Sequence, residues 1–168
     1  MSQKEFVNDI MSSHLLTIRL DDSVRKAYEM MKERRIRHLP VCDEARQIIG
    51  IISDRDLQRA MKPKQLTVMS NLDDDIEFDP SHQVKDFMSW PVNCVAYDIE
   101  IAAAVRRMLN QKISALLVVD GHQKPIGIVT TEDMLKLLAE LLEKGPSGLK
   151  LSFQGIFSDS RLGSGNLS

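Results

Sequence analysis

Apolar residues recur at Val24, Ala27, Tyr28 and Met31, and again at Ile101, Ala104, Val105 and Met108. The i, i+3, i+4, i+7 spacing puts each set on one face of a helix. Leu39-Pro40-Val41-Cys42 and the run from Leu116 to Val119 are continuous and short, which reads as buried strand. Asp43 to Gln47 and Asp120-Gly121-His122 supply turns, and Ile48 to Ile52 and Ile126 to Val129 supply returning strands. Short extended segments, Leu16-Thr17-Ile18 and Val95-Ala96, precede the first helix of each set. Asp22 or Ser23 in one set, and the acidic start Asp98-Ile99-Glu100 in the other, suit an exposed helix N-terminus. A second helix opens at Asp54 or Thr131 and ends near Met61 or Leu142. Each set is therefore a β-α-β-β-α unit.

The two sets are copies of each other. Val7-Asn8-Asp9-Ile10-Met11-Ser12 returns as Val84-Lys85-Asp86-Phe87-Met88-Ser89, an offset of 77. The same offset maps Ala27 on Ala104, Met31 on Met108, Leu39 on Leu116, Ile49-Gly50-Ile51 on Ile126-Gly127-Ile128, and Asp56 on Asp133. Holding one register through helix, strand and turn positions establishes a duplication. Either copy alone is small for an independent core, so the pair is expected to pack as one pseudo-two-fold α/β module. The expected organisation is unit 1 over 1–65, a linker over 66–83, unit 2 over 84–142, and a Gly/Ser-rich tail over 143–168. The tail's Leu149-Lys150-Leu151-Ser152-Phe153 alternates like a strand, and the linker carries an acidic run, Asp73-Asp74-Asp75. That run lacks the ordered ligand spacing of a calcium loop and reads as solvated surface.

Composition narrows the function class. The chain has 168 residues, 43% hydrophobic, with Lys+Arg 22 against Asp+Glu 24 for a net charge of −2. A general polyanion binder needs a basic excess, so the cluster from Lys32 to Arg37 is not read as a nucleic-acid patch. No apolar run approaches the ~20 residues that cross a bilayer, so membrane insertion is not expected. The N-terminus lacks the apolar stretch of a secretory signal, and Cys42 and Cys94 show no CxxC spacing; a cytoplasmic location is expected. The four histidines share no metal-ligand spacing, and the nine methionines fall mostly on apolar faces as core filler. Trp90, beside Pro91, could stack on an aromatic base or anchor its loop.

The chemistry concentrates at Gly50-Ile51-Ile52-Ser53-Asp54-Arg55-Asp56 and Gly127-Ile128-Val129-Thr130-Thr131-Glu132-Asp133. In each, a buried strand ends in a hydroxyl residue and a carboxylate follows three positions later, in the first helical turn. A carboxylate can accept two hydrogen bonds from a cis-diol such as ribose, and a helix N-terminus favours an attached phosphate. Simple N-capping explains one S-x-x-D. Its recurrence at equivalent points of a duplication argues for a shared binding role.

The duplicated pattern resembles a pair of cystathionine-β-synthase-type (CBS) domains, a Bateman module. The residues that carry the resemblance are Asp9-Ile10-Met11 and Asp86-Phe87-Met88, Ile36-Arg37-His38-Leu39-Pro40-Val41 and Ile113-Ser114-Ala115-Leu116-Leu117-Val118, and the two G-h-h-[ST]-x-x-D segments. It spans residues 7–142. It implies two clefts that bind adenosine-containing ligands such as AMP, ADP, ATP or S-adenosylmethionine and regulate another protein. It places Asp56 and Asp133 on ribose hydroxyls, with Ser53 and Thr130 beside the ribose and phosphate. Arg37 and His38 in one copy, Ser114 and Ala115 in the other, would line the same clefts, completed by the opposite copy's helix start near Ala104 and Ala27. Modules of this kind commonly pair, and a homodimer is expected through the apolar faces of the two first helices.

No nucleophile–base pair, metal cluster or P-loop accompanies the motif, so a non-enzymatic regulatory module is expected. A ligand-independent interaction scaffold, whose S-x-x-D segments only cap helices, is the alternative. The first copy offers Arg37, His38 and Arg55 where the second has Ser114, Ala115 and Glu132. Phosphorylated ligands are therefore expected to prefer the first copy.

Overall fold

The structure is a computed structural model and describes residues 5–61 and 76–144. The first copy folds as β1 (Ile18–Arg19), α1 (Val24–Arg34), β2 (His38–Cys42), β3 (Ile48–Ser53) and α2 (Asp54–Ala60). The second repeats it as β4 (Cys94–Ala96), α3 (Ile101–Gln111), β5 (Ala115–Val119), β6 (Pro125–Thr130) and α4 (Thr131–Glu143). The result is mixed α/β, with three-stranded sheets ordered β1-β2-β3 and β4-β5-β6.

Register repeats as faithfully as element order. β2 and β3 pair antiparallel with His38 opposite Ser53 and Val41 opposite Gly50; β5 and β6 set Ala115 opposite Thr130 and Val118 opposite Gly127. Even the left-handed positions recur. Arg35 and Lys112 end α1 and α3 at φ 52° and 55°, and Arg46 and Gln123 turn the hairpins at φ 60° and 61°. No glycine occupies these four positions, although a side chain in that region is disfavoured.

The compact units cut across the repeat boundaries. Among the described residues, one unit comprises 14–61 and 76–94, and the other 5–13 and 95–144. Each therefore takes the opening segment of one repeat and the body of the other. Ser89 and Ile51 exchange backbone hydrogen bonds at 2.8 and 3.0 Å, and Ser12 and Ile128 exchange theirs at 2.9 Å. These approaches explain the glycine of each motif. A Cβ on Gly50 would stand 2.8 Å from the Ser89 carbonyl oxygen, and one on Gly127 2.9 Å from that of Ser12.

Ile18, Val24, Ala27, Met31, Leu39, Val41, Ile52 and Leu57 form the core of one unit. Val7, Val95, Ala104, Met108, Leu116, Val118 and Val129 form the other. Fully buried side chains of the Leu39 and Leu116 kind contribute about 1.5–3 kcal/mol each relative to exposure. Along the α1 and α3 faces expected to meet a second copy, Val24, Met31, Ile101 and Met108 are buried, whereas Tyr28 and Val105 keep part of their surface. Phe78, in the stretch read as linker, is buried against Tyr28 with ring centroids 5.6 Å apart. Asp73-Asp74-Asp75 and the strand-like tail segment Leu149 to Phe153 lie outside the described residues.

Candidate functional site

Each motif is a strand that runs directly into a helix. β3 ends at Ser53, whose extended backbone (φ −114°, ψ 168°) caps α2, and β6 ends at Thr130 (φ −125°, ψ 167°), which caps α4. The preceding loops are tied to the same point, because Asp54 N donates to the Arg37 carbonyl and Thr131 N to that of Ser114, both at 3.0 Å. Sheet register adds His38 opposite Ser53 and Ala115 opposite Thr130. Ser53, Asp56, Arg37 and His38 are thus gathered at one helix start, and Thr130, Asp133, Ser114 and Ala115 at the other. Ala27 and Ala104 lie fully buried in the two apolar cores and present no surface to a ligand.

The hydroxyl–carboxylate pairs are nearly superimposable in their short contacts. Ser53 N and Oγ donate to Asp56 Oδ2 at 2.8 and 2.7 Å; Thr130 N and Oγ1 donate to Asp133 Oδ2 at 2.8 and 2.7 Å. Both are reciprocal capping boxes, which satisfy amides that the helix leaves unpaired.

The second oxygen of each carboxylate differs. Asp56 Oδ1 accepts Arg59 Nη2 at 2.6 Å, and the same nitrogen reaches the Phe87 carbonyl at 3.2 Å. Lys136 holds the Arg59 position in the second copy but pairs with Glu132 at 2.8 Å. Among the described residues nothing donates to Asp133 Oδ1. Asp56 is accordingly 9% exposed, whereas Asp133 is half-buried. Arg59 was not anticipated from the sequence; the available signal was a cation three residues after the motif carboxylate with no acid at position 55 to compete for it.

The basic groups around the first pair are less free than their number suggests. Arg37 Nε donates to Asp54 Oδ2 at 2.7 Å. Burial holds the His38 imidazole below its ordinary range, with Asp54 opposing the shift and Arg37 adding to it, so the ring is uncharged at neutral pH. Arg55 is exposed. A separate cavity of about 230 Å³ lies beside Cys42, at the far end of β2 from Ser53; it mixes Arg19, Lys26 and Arg46 with Asp22 and Asp43. Lys26 there is paired with Asp22 at 2.7 Å. No helix of the described residues is long and apolar enough to cross a membrane.

Comparison with known proteins agrees with this architecture. The profile of the CBS domain matches twice, over residues 7–63 and 84–140. A CBS domain-containing protein of Dictyostelium discoideum is 32% identical over 143 residues, covering 85% of this chain and 97% of its own length. The inosine-5'-monophosphate dehydrogenase of Methanocaldococcus jannaschii is 30% identical over 77% of this chain, which spans only 23% of that enzyme. Among solved structures, a CBS domain pair in complex with 5'-methylthioadenosine and S-adenosyl-L-methionine superposes with a TM-score of 0.64 at 26% identity, covering 80% of this chain and 96% of the other. CBSX2 in complex with AMP superposes with a TM-score of 0.62 at 26% identity, covering 83% and 98%. The duplicated fold, the twin motifs and the two profile matches lead to one conclusion: this chain belongs to the CBS domain family and carries two copies of the domain.

Proposed function

We propose that the chain is a non-enzymatic, cytoplasmic regulatory module. It binds an adenosine-containing ligand (AMP, ADP, ATP or S-adenosylmethionine) at a hydroxyl–carboxylate pair and signals its occupancy to a separate protein. The observation that carries this reading is the Thr130–Asp133 pair. β6 and the helix it enters bring a hydroxyl and a carboxylate to one helix start, with Asp133 Oδ1 open, among the described residues, to a donor such as a ribose hydroxyl. Relatives of the same fold solved with AMP, and with 5'-methylthioadenosine and S-adenosyl-L-methionine, support the ligand class. Titration calorimetry with AMP, ADP, ATP, S-adenosylmethionine and NADH tests it. Saturable heat with at least one adenosine compound is expected. No heat and no melting shift with any of them would contradict the proposal, and product release from ATP would contradict the non-enzymatic part.

The ligand-independent scaffold is kept as a second reading because one observation favours it. Both oxygens of Asp56 already accept hydrogen bonds from the protein, the contacts of a structural cap.

The module acts as a homodimer in this proposal, through α4. That helix buries none of its residues, and Leu135 and Leu142, two turns apart, are 64% and 55% exposed. The corresponding positions of the first copy are Gln58 and Gln65. Apolar side chains at these positions gain by being covered, as in obligate interfaces.

A further inference from the structure

We infer that the two hydroxyl–carboxylate pairs have diverged: Asp133 is the open ribose acceptor, and Arg59 holds Asp56 closed as a structural cap. The inference rests on the adenosine-binding reading above and assigns it to one of the two copies.

A cis-diol approaches with two donors and needs acceptor positions not already filled. Asp56 Oδ2 already takes two hydrogen bonds from Ser53, at 2.8 and 2.7 Å. Its Oδ1 takes a charge-assisted bond from Arg59 at 2.6 Å, and Arg59 is anchored in turn on the Phe87 carbonyl at 3.2 Å. A ribose hydroxyl reaching Oδ1 must therefore compete with a guanidinium held at two points. At Asp133 the Thr130 contacts repeat, at 2.8 and 2.7 Å, but among the described residues nothing donates to Oδ1.

One charge reversal accounts for the difference. Glu132 stands four residues before Lys136, the favoured order for a helical ion pair, and it takes the lysine at 2.8 Å. The first copy has Arg55 in place of Glu132, so Arg59 faces a like charge at i−4 and turns to the carboxylate at i−3. Glu132 thus keeps Asp133 available by occupying the nearest cation. This reverses the preference expected from the sequence, which counted Arg37, His38 and Arg55 as phosphate donors. Arg37 is bound to Asp54, and His38 is uncharged at neutral pH.

Calorimetric titration of the whole chain with AMP tests the assignment. Wild type should bind with a stoichiometry near one per chain. 2'-Deoxy-AMP, which lacks half the diol, should bind at least tenfold more weakly, as loss of a hydrogen bond to a charged acceptor requires. Asp133→Asn should weaken AMP at least tenfold more than Asp56→Asn does. Arg59→Gln, which keeps the helix and needs no buried change, should raise the stoichiometry toward two. Two equal sites in wild type, or a greater loss at Asp56→Asn, would overturn the divergence while leaving adenosine binding intact. Absence of AMP heat in wild type and in Arg59→Gln alike would overturn the divergence as stated, and silence from the other adenosine compounds as well would remove the binding reading beneath it.

Discussion

Ser12 and Gly127 are in such close approach that the Ser12 carbonyl oxygen would lie 2.9 Å from a Cβ placed on the glycine. The backbone of Ser12 is fixed there by its paired hydrogen bonds with Ile128, so it has little freedom to retreat. Gly127→Ala should destabilise the protein by about 1–3 kcal/mol, the usual range for overpacking a filled site. Urea denaturation followed by circular dichroism measures it. Gly50→Ala meets the Ser89 carbonyl in the same way and should behave alike. An unchanged midpoint in both variants would show that the opening segments are not pinned against β3 and β6.

His38 makes stability depend on pH in a stated direction. Its imidazole is held below the ordinary value of about 6.5, chiefly by burial, while Asp54 and Asp56 oppose the shift and Arg37 and Arg55 reinforce it. The unfolded chain therefore binds more protons than the folded one once the pH falls below that value. Stability contributed by the neutral ring is fully present above about pH 6.5 and is lost on acidification toward the lower, folded-state value. The fall in melting temperature between pH 7 and pH 5 should be smaller in His38→Gln than in wild type. An identical fall in both would rule out His38 as a contributor.

Lys112 pays a conformational penalty at the end of α3, where its backbone is left-handed at φ 55° and its side chain is exposed. Glycine is the preferred residue at such a helix end. Lys112→Gly should stabilise by roughly 0.5–1 kcal/mol, after the greater chain entropy of glycine is set against relief of about 1–2 kcal/mol of strain. A drop in the denaturation midpoint would mean that the lysine side chain contributes more than its backbone forfeits.

The α4 surface gives a prediction about assembly. Leu135→Glu combined with Leu142→Glu places charge on two exposed positions of one helix face and should leave folding intact. Light scattering at micromolar concentration should report a dimeric mass for wild type and a monomeric mass for the double variant. A monomeric wild type, with and without AMP, would remove the dimer proposal.

Much of this was legible in the sequence, because period and repetition are local signals. The apolar stripes at Val24, Ala27 and Met31 and at Ile101, Ala104 and Met108 fall inside α1 and α3, and the runs at Leu39 and Leu116 fall inside β2 and β5. What was not legible depends on contacts between distant residues. No local pattern tells that the segment around Ser89 pairs with Ile51, or the one around Ser12 with Ile128. A stripe alone likewise cannot tell whether its partner is the same chain or a second copy; here the core takes Val24, Met31, Ile101 and Met108 and leaves Tyr28 and Val105 partly exposed. The pairing of Ser53 with Asp56 and of Thr130 with Asp133 was legible because their spacing is fixed by helix geometry. The substitution of Glu132 for Arg55 was also visible, but which carboxylate takes the cation, Asp56 taking Arg59 and Glu132 taking Lys136, is a choice among partners that only the side-chain geometry reveals.

The most direct measurement is a ¹H–¹⁵N correlation spectrum of the whole chain titrated with AMP. Saturable shifts at the amides of Thr130, Thr131 and Asp133, with those of Ser53, Asp54 and Asp56 little changed, are the expected result. Shifts centred on Ser53 to Asp56 instead, or no saturable shift at either helix start, would contradict it.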